Sequence, residues 1–338
     1  MKLFSSMLTG LCCFAAFVSF GQSIEPLTQK ANCGFRGLDT FGERVIWVSG
    51  TNGTVGKSLD KGKSWEWVGP KGYEETDFRD IAVFSNYEAV IVSAGAPAVI
   101  LRTMDGGKSW TEVYHNDDPE IFLNGMDFYG DRGFAIGDPI DGFFQLLQTT
   151  DRGETWEDVS GSLLLFAEPG EVGFAASGTG LQVQGDNLWI GSGGSFAALY
   201  RRNEKKMLMH KMLTPIISGA SSQGIFSLSF WNNKRGVVVG GDYLHDQCNE
   251  HNVYLTHDGG ENWITPAKPV GGFRSAVLHV NKRKLVATGT SGTDISTDGG
   301  QHWNTISTDS YNVLGKSRTG KRVYLAGSNG QISVLQWK

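Results

Sequence analysis

The chain has 338 residues, with 30 Lys and Arg against 35 Asp and Glu, for a formal net charge of −5. This mild acidity, without any basic run, excludes nucleic acid as a main partner. With 46 Gly, only 9 Pro, and Trp and Phe at regular intervals, the composition is that of short strands joined by tight turns.

The chain opens with Lys2 and an apolar run from Leu8 to Phe20, followed by Gly21-Gln22. Small residues three and one before Gln22 fit an export signal over residues 1–21, cleaved after Gly21. The run is too short to span a bilayer and no other stretch is long enough. Cys12 follows Leu11, where a lipoprotein signal carries a small residue, so no lipid anchor is expected. Residues 22–338 are expected to form one exported domain, periplasmic or secreted, and monomeric. It keeps two cysteines, Cys33 and Cys248; export permits a disulfide between them, and sequence leaves their pairing open.

After a first segment, Ile24 to Ala31, each unit of the chain reads as four short strands, A to D, around a recurrent turn. Strand A runs from Phe35 to Phe41 and strand B from Val45 to Ser49. Strand C enters the turn Ser58-Leu59-Asp60-Lys61-Gly62-Lys63-Ser64-Trp65, and strand D leaves it. The turn has the form S/T-x-D-x-G-x-[STNH]-W. It recurs at Thr103 to Trp110, Thr149 to Trp156, Thr256 to Trp263 and Ser296 to Trp303. Asp accepts hydrogen bonds from amides just ahead of it, Gly supplies positive φ, and Trp lays an apolar face beside the turn. For Asp60, Asp105, Asp151, Asp258 and Asp298, with Trp65, Trp110, Trp156, Trp263 and Trp303, the role is therefore structural.

These turns resemble the Asp-box, or BNR repeat, of sialidase-like propellers. Successive aspartates are 45, 46, 107 and 40 residues apart, so the long interval hides one unit without a good box. Tyr200-Arg201-Arg202-Asn203-Glu204 stands at its midpoint as the decayed copy. Later units start near Phe78, Leu123, Ser177, Ile225 and Phe273. Tyr311 to Gly320, Arg322 to Ala326 and Gln331 to Trp337 supply a last A, B and C without a D. The expected fold is all-β, a seven-bladed propeller closed by the N-terminal segment, because an open ring leaves two unpaired sheet edges. A six-bladed ring, as in sialidases, is the alternative.

In such a meander the boxes lie on one face, the bottom. The B–C loops, the D–A links and the starts of the A strands lie on the other, the top. The top carries a second repeat: Phe35-Arg36, Phe78-Arg79 and Phe273-Arg274, with Asn124 and Asn312 at the aligned positions. Arg36, Arg79 and Arg274 are expected to converge on one side of the channel mouth, unless each pairs with a local acid. The opposite side is acidic, with Asp138 and Asp141, Glu168 and Glu171, and the long loop from Gly241 to His251 that holds Asp242, Tyr243 and His245. Such a mouth suits a partly anionic ligand, a peptide or protein carboxylate or an acidic glycan. His245, Cys248 and His251 match no metal-site spacing, so no metal is assigned. No nucleotide or serine-hydrolase motif is present, and no cofactor is expected.

Five boxes on seven blades, an F-R start to the A strands and an export signal together resemble the photosystem II stability/assembly factor-like family of exported propellers. The resemblance implies a non-enzymatic binding or assembly function and places Arg36, Arg79 and Arg274 in the family's arginine patch for protein recognition. Members elsewhere are often labelled oxidoreductases, a label no cofactor motif of this chain supports. The enzymatic alternative is a sialidase-like glycoside hydrolase, whose Tyr nucleophile, activating Glu and acid/base Asp would be Tyr243, Glu171 and Asp138. The F-R-I-P motif of that class is absent, since the matching stretches read Phe35-Arg36-Gly37-Leu38 and Phe78-Arg79-Asp80-Ile81.

Overall fold

A computed structural model describes residues 21–202, 209–317 and 320–337. The export segment read over 1–21 lies, Gly21 apart, outside the described residues. So do Asn203 and Glu204 of the decayed box.

The strands form seven antiparallel sheets arranged as the blades of one propeller. In the first blade Phe35–Phe41, Val45–Gly50, Val55–Ser58 and Glu66–Trp67 run from inside to outside. The second (Phe78–Val83 to Thr111–Asn116) and third (Leu123–Tyr129 to Glu157–Asp158) repeat this order. The fourth blade starts at Leu181–Gln184, four residues later than Ser177, and the sixth at Ala276–His279, three later than Phe273. The fifth is built on the long strand Ala220–Phe230, and its outer strand is reduced to one bridge between Leu255 and Ile264. In the unit without a good box, Tyr200 to Arg202 end the third strand, where a box would stand.

The seventh blade takes Val313–Lys316, Val323–Ala326 and Gln331–Gln336 from the C-terminus and Ser23–Gln29 from the N-terminus. Ser23 pairs with Gln336 and Gln29 with Gln331, so the ring closes as expected and the six-bladed alternative is set aside.

The apolar runs are explained by blade packing. Val45, Ile46, Trp47 and Val48 are all buried. Ile46 and Val48 pack toward the seventh blade with Tyr324 and Val334, whereas Val45 and Trp47 pack toward the second with Ile81 and Ile91. The core is thus a set of layers between adjacent blades, and strands such as Val45–Gly50 are buried on both faces.

All five boxes share one hydrogen-bond pattern. The leading Ser or Thr hydroxyl donates to the Asp and accepts the amide of the glycine four residues on, at 2.8–2.9 Å. The Asp accepts the amide four residues ahead at 2.9–3.1 Å. The hydroxyl and amide of Ser64 hold the Asp60 carboxylate down at about 2, and those of Ser109 do the same for Asp105. Each aspartate is consumed by its own turn, in keeping with a structural role. The indole N–H of Trp110 donates to Val68 O of the preceding blade at 2.9 Å, and that of Trp263 to Leu213 O at 3.0 Å.

Around the channel, side chains of the inner strands stitch every blade to the next. Asp39 accepts the Val83 amide, Asp80 the Met126 amide and Asp127 the Val183 amide, at 2.8, 2.8 and 2.6 Å. Gln182 accepts the Phe230 amide at 2.6 Å and Ser227 the Val277 amide at 2.9 Å. Ser275 donates to Asn312 O at 2.7 Å, and Thr40 to Lys316 O at 2.6 Å, which completes the circle.

Two outcomes test this architecture. Deleting Ser23–Gln29 exposes the edge of Gln331–Gln336 and should make the protein aggregate with a lowered melting temperature; light scattering during a thermal ramp reads both. Asp60 and Asp105 are depressed from 3.8 to about 2. Their contribution is therefore full above about pH 4 and lost as pH falls through about 2. Asp105→Asn should lower the melting temperature at pH 6 and remove part of its fall between pH 4 and pH 2, measured by circular dichroism.

Candidate functional site at the channel mouth

The F-R repeat is a β-bulge. Pairing between the first two strands slips between Phe35 and Gly37 in the first blade and between Phe78 and Asp80 in the second. The skipped residues are Arg36 and Arg79. The same slip falls between Leu123 and Gly125 in the third blade, which skips Asn124, and between Ile225 and Ser227 in the fifth, which skips Phe226. A bulge bends the strand and re-aims its extra side chain, and here it turns Arg36 and Arg79 toward the channel mouth.

There they meet the link that leads into the fourth blade. Residues 172–179 cross the mouth as a strap. Arg36 Nη1 donates to Ala176 O and Arg79 Nη1 to Ala175 O, each at 3.2 Å. On the far side Ser177 Oγ donates to Ser275 O of the sixth blade at 2.6 Å, and Phe174 stacks on Phe226 of the fifth at 3.7 Å. Gly173 donates its amide to Asp138 at 2.9 Å. Gly178 has φ of 69°, and a Cβ there would strike the Asp80 carboxyl group, so only glycine fits this crossing. Ser177, Gly178 and Thr179 roof a channel cavity of about 270 Å³ lined by Asp39, Asp80 and Lys316. The mouth is therefore a shallow site above a strap and not an open pore.

The three expected arginines are not equivalent. Arg79 is half-buried and bonds Asp77 at 3.1 Å. Arg36 is half-buried as well, but among the described residues no carboxylate comes within ion-pairing distance of it. Burial and the neighbouring Arg79 push it down to about 10, which Asp77 offsets only in part. Arg274 does not join them. Its guanidinium is fully buried, with Nε donating to Asp294 at 2.7 Å, Nη2 at 2.5 Å from the same carboxylate, and Nη1 donating to Phe273 O and Ser291. The sixth blade has no bulge at this point; Arg274 precedes the strand and folds back onto its own blade. The expected convergence of three arginines is corrected to two.

The other expected residues also turn out to be framework. Asn124 donates to Asp138 at 3.0 Å, and Asn312 donates to Phe35 O at 2.9 Å and to Ser328. Asp138 carries both Asn124 and the strap, and burial raises its carboxyl above the usual range. Asp242 accepts from Leu244, Gln223 and His245; burial alone would raise it, but these bonds hold it low. Tyr243 is 47 % exposed and lies edge-on to Phe226 and Phe273.

The Tyr243, Glu171 and Asp138 set of a sialidase is not assembled. Glu171 is buried, bonded to Tyr200 at 2.8 Å, Lys211 at 2.9 Å and Ser192. It anchors the start of the strap, where Glu171–Val172 pair with Gly193–Gly194. Among the described residues no three His, Cys, Asp or Glu are grouped to hold a metal. His251 bonds Tyr254, and Cys248 is an exposed thiol. Cys33 is a buried thiol in the first blade, three blades away around the ring, so the Cys33–Cys248 disulfide is not formed. Sequence reasoning missed Phe226, Phe174 and the Glu171–Tyr200–Lys211 cluster.

Arg274→Ala would strand a buried carboxylate, so it should destabilise the fold by about 3–5 kcal/mol in a denaturant titration. Arg36→Ala, beside solvent, should cost less than about 1 kcal/mol.

Comparison with known proteins agrees with this fold. Residues 67–180 match the family model described as photosynthesis system II assembly factor YCF48. The chain is 24% identical over 261 residues to the photosystem II assembly lipoprotein Ycf48 of Synechococcus sp. (strain CC9902), covering 67% of this chain and 72% of that protein. The solved structure of YCF48 bound to D1 peptide superposes with a TM-score of 0.65 at 16% identity, covering 92% of this chain and 94% of that one. YCF48 from Cyanidioschyzon merolae gives 0.61 at 16% identity, covering 94% and 99%. Among the described residues no helix is long and apolar enough to cross a membrane. By its blades, its boxes and these matches, the chain is a seven-bladed BNR propeller similar to the photosystem II assembly factors.

Proposed function

We propose that this protein is an exported, monomeric, non-enzymatic binding or assembly propeller. It recognises an anionic group, above all a peptide carboxylate, at the top channel mouth. The observation that carries the reading is the pair of bulge-aimed guanidiniums of Arg36 and Arg79. They lie close enough to repel, and among the described residues no carboxylate pairs with Arg36. A carbonyl of the strap supplies only a dipole, whereas a carboxylate supplies the missing charge in a sheltered position. A related YCF48 has been solved with a D1 peptide bound, which makes a peptide the first ligand to try and an acidic glycan the second. The hydrolase alternative is weaker, because Glu171 spends its bonds on Tyr200 and Lys211 in the interior.

The test is a binding screen of the purified mature chain against acidic peptides and sialylated glycans, run beside a chromogenic sialoside assay. Arg36→Ala should weaken peptide binding about tenfold or more. Arg36→Lys should do nearly the same, since it keeps the charge but loses the fork. Binding indifferent to both Arg36 and Arg79 substitutions would refute the site. Sialoside hydrolysis abolished by Tyr243→Phe would refute the non-enzymatic reading.

A further inference from the structure

We infer that the bottom face, the one that carries the boxes, holds an anion site at the seam between the fifth and sixth blades. Its ligand is a small oxyanion of the phosphate or sulfate class. The site is independent of the channel mouth and emerges when one turn is compared between seams.

The second, fifth and sixth blades join their first two strands by turns of one design. Ser85 Oγ accepts the amides of Tyr87 and Glu88 at 3.1 and 3.0 Å. Asn232 Oδ1 accepts those of Lys234 and Arg235 at 3.0 and 2.9 Å, and Asn281 Oδ1 those of Arg283 and Lys284 at 2.9 and 2.8 Å. Each turn is clamped to the box of its own blade. Gly106, Gly259 and Gly299 donate their amides to Tyr87 O, Lys234 O and Arg283 O, all at 2.8 Å. The turns therefore stand in equivalent places, and Arg235 stands where the second blade has Glu88.

The surroundings of these two residues differ in one respect. Glu88 is buried at the seam of the second and third blades, 3.0 Å from Arg102 and 3.6 Å from Arg152 of the third blade's box. The sixth blade's box has Gly299 in the place of Arg152, and a Cβ there would meet only Lys282 O, at 3.9 Å. The space that a side chain fills at one seam is thus open at the other. It forms part of a cavity of about 130 Å³, lined by Arg235, His257, His279, Lys282 and Gly299, with room for a small anion and water. One seam holds a carboxylate between two cations; the other holds cations beside a space.

Among the described residues no carboxylate is ion-paired with Arg235 or Lys282. Asp298 also lines the cavity but is spent on its own box, where it accepts the Ser296 hydroxyl at 2.9 Å and the His302 amide at 3.1 Å and bonds His302 Nδ1 at 2.7 Å. His279 adds a neutral donor. Burial, with Lys316 nearby, pushes its ring down to about 4, so it is uncharged at neutral pH. Ser229 Oγ accepts the His279 amide at 3.2 Å and gives its one proton to Nδ1 at 2.9 Å. The ring proton is therefore on Nε2, which has no partner among the described residues. A guanidinium from one blade, an ammonium from the next and an imidazole N–H ask for several acceptor oxygens at once. Phosphate and sulfate supply them, whereas a carboxylate has only two.

The experiment titrates the mature chain with sodium phosphate and with sodium sulfate in a calorimeter at low ionic strength. In parallel the chain is sedimented with phosphatidylcholine vesicles, with and without phosphatidylglycerol. Saturable binding is expected in at least one arm. Arg235→Gln and Lys282→Gln should each weaken it about tenfold, with an unchanged melting temperature in anion-free buffer. Lys63→Gln, an exposed lysine of the first blade's box, should leave it within about twofold. An effect of both substitutions on the free anions assigns the site to a soluble phosphate or sulfate, and an effect on the vesicles alone assigns it to a lipid headgroup. No binding in any arm, or binding indifferent to both substitutions, would overturn the site.

Discussion

The circle of side-chain hydrogen bonds around the channel is the constraint on which the rest of the structure depends. At every step of the ring a polar side chain of one inner strand reaches the backbone of the neighbouring blade, from Asp39 and Val83 round to Thr40 and Lys316. A blade of four short strands has too little core to stand alone, and the apolar layers between blades are slippery in register. A buried carboxylate accepting a neighbour's amide is not, because a slip leaves both groups unpaired in a low-dielectric interior. Asp80 shows what this involves. Burial drives its carboxyl well above the ordinary range, against the pull of the Met126 and Ile81 amides it accepts. With the inner strands fixed in height, a bulge at the start of a strand always delivers its extra side chain to the same level, the rim of the mouth.

The strap then decides what the rim can do. It is held at both sides and in the middle by groups from five blades, and it roofs the channel cavity with backbone and small side chains. What remains on top is a surface in which nearly every charge has been answered. Asp138 carries Asn124 and Gly173, Asp242 carries His245, Glu171 carries Lys211, Arg274 carries Asp294 and Arg79 carries Asp77. Among the sheltered charges of the described mouth, Arg36 is the one without an ion-pair partner. A mouth that appears from its residue list to oppose arginines and acids is, in space, one sheltered cation at the head of a seam.

The blades were legible because their signals are local. A box is eight consecutive residues, and the missing last outer strand follows from counting strands. The F-R repeat was also visible, but its meaning lay in a register slip that no single strand displays. Arg274 has the same two-residue signature as Arg79; its partner Asp294 sits on the third strand of its own blade, 20 residues on, with nothing nearby to announce it. The strap was invisible for a related reason. Residues 164–180 have no alternation and no box, and read as a long acidic link. Their contacts are with residues 98 and 140 positions away in sequence. Phe226 is one apolar residue in an apolar strand, so nothing marked it as the platform for Phe174.

The account's central claim is that the strap is a fixed wall of the site and not a lid over it. Amide hydrogen exchange over residues 171–179 tests this most directly, with the Gly173 amide, bonded to Asp138, as the reporter. The account predicts that these amides are protected to nearly the same degree as the inner strands in the protein without ligand. Exchange at the rate of an open loop, slowing only when a peptide is added, would contradict it and make the strap a moving part.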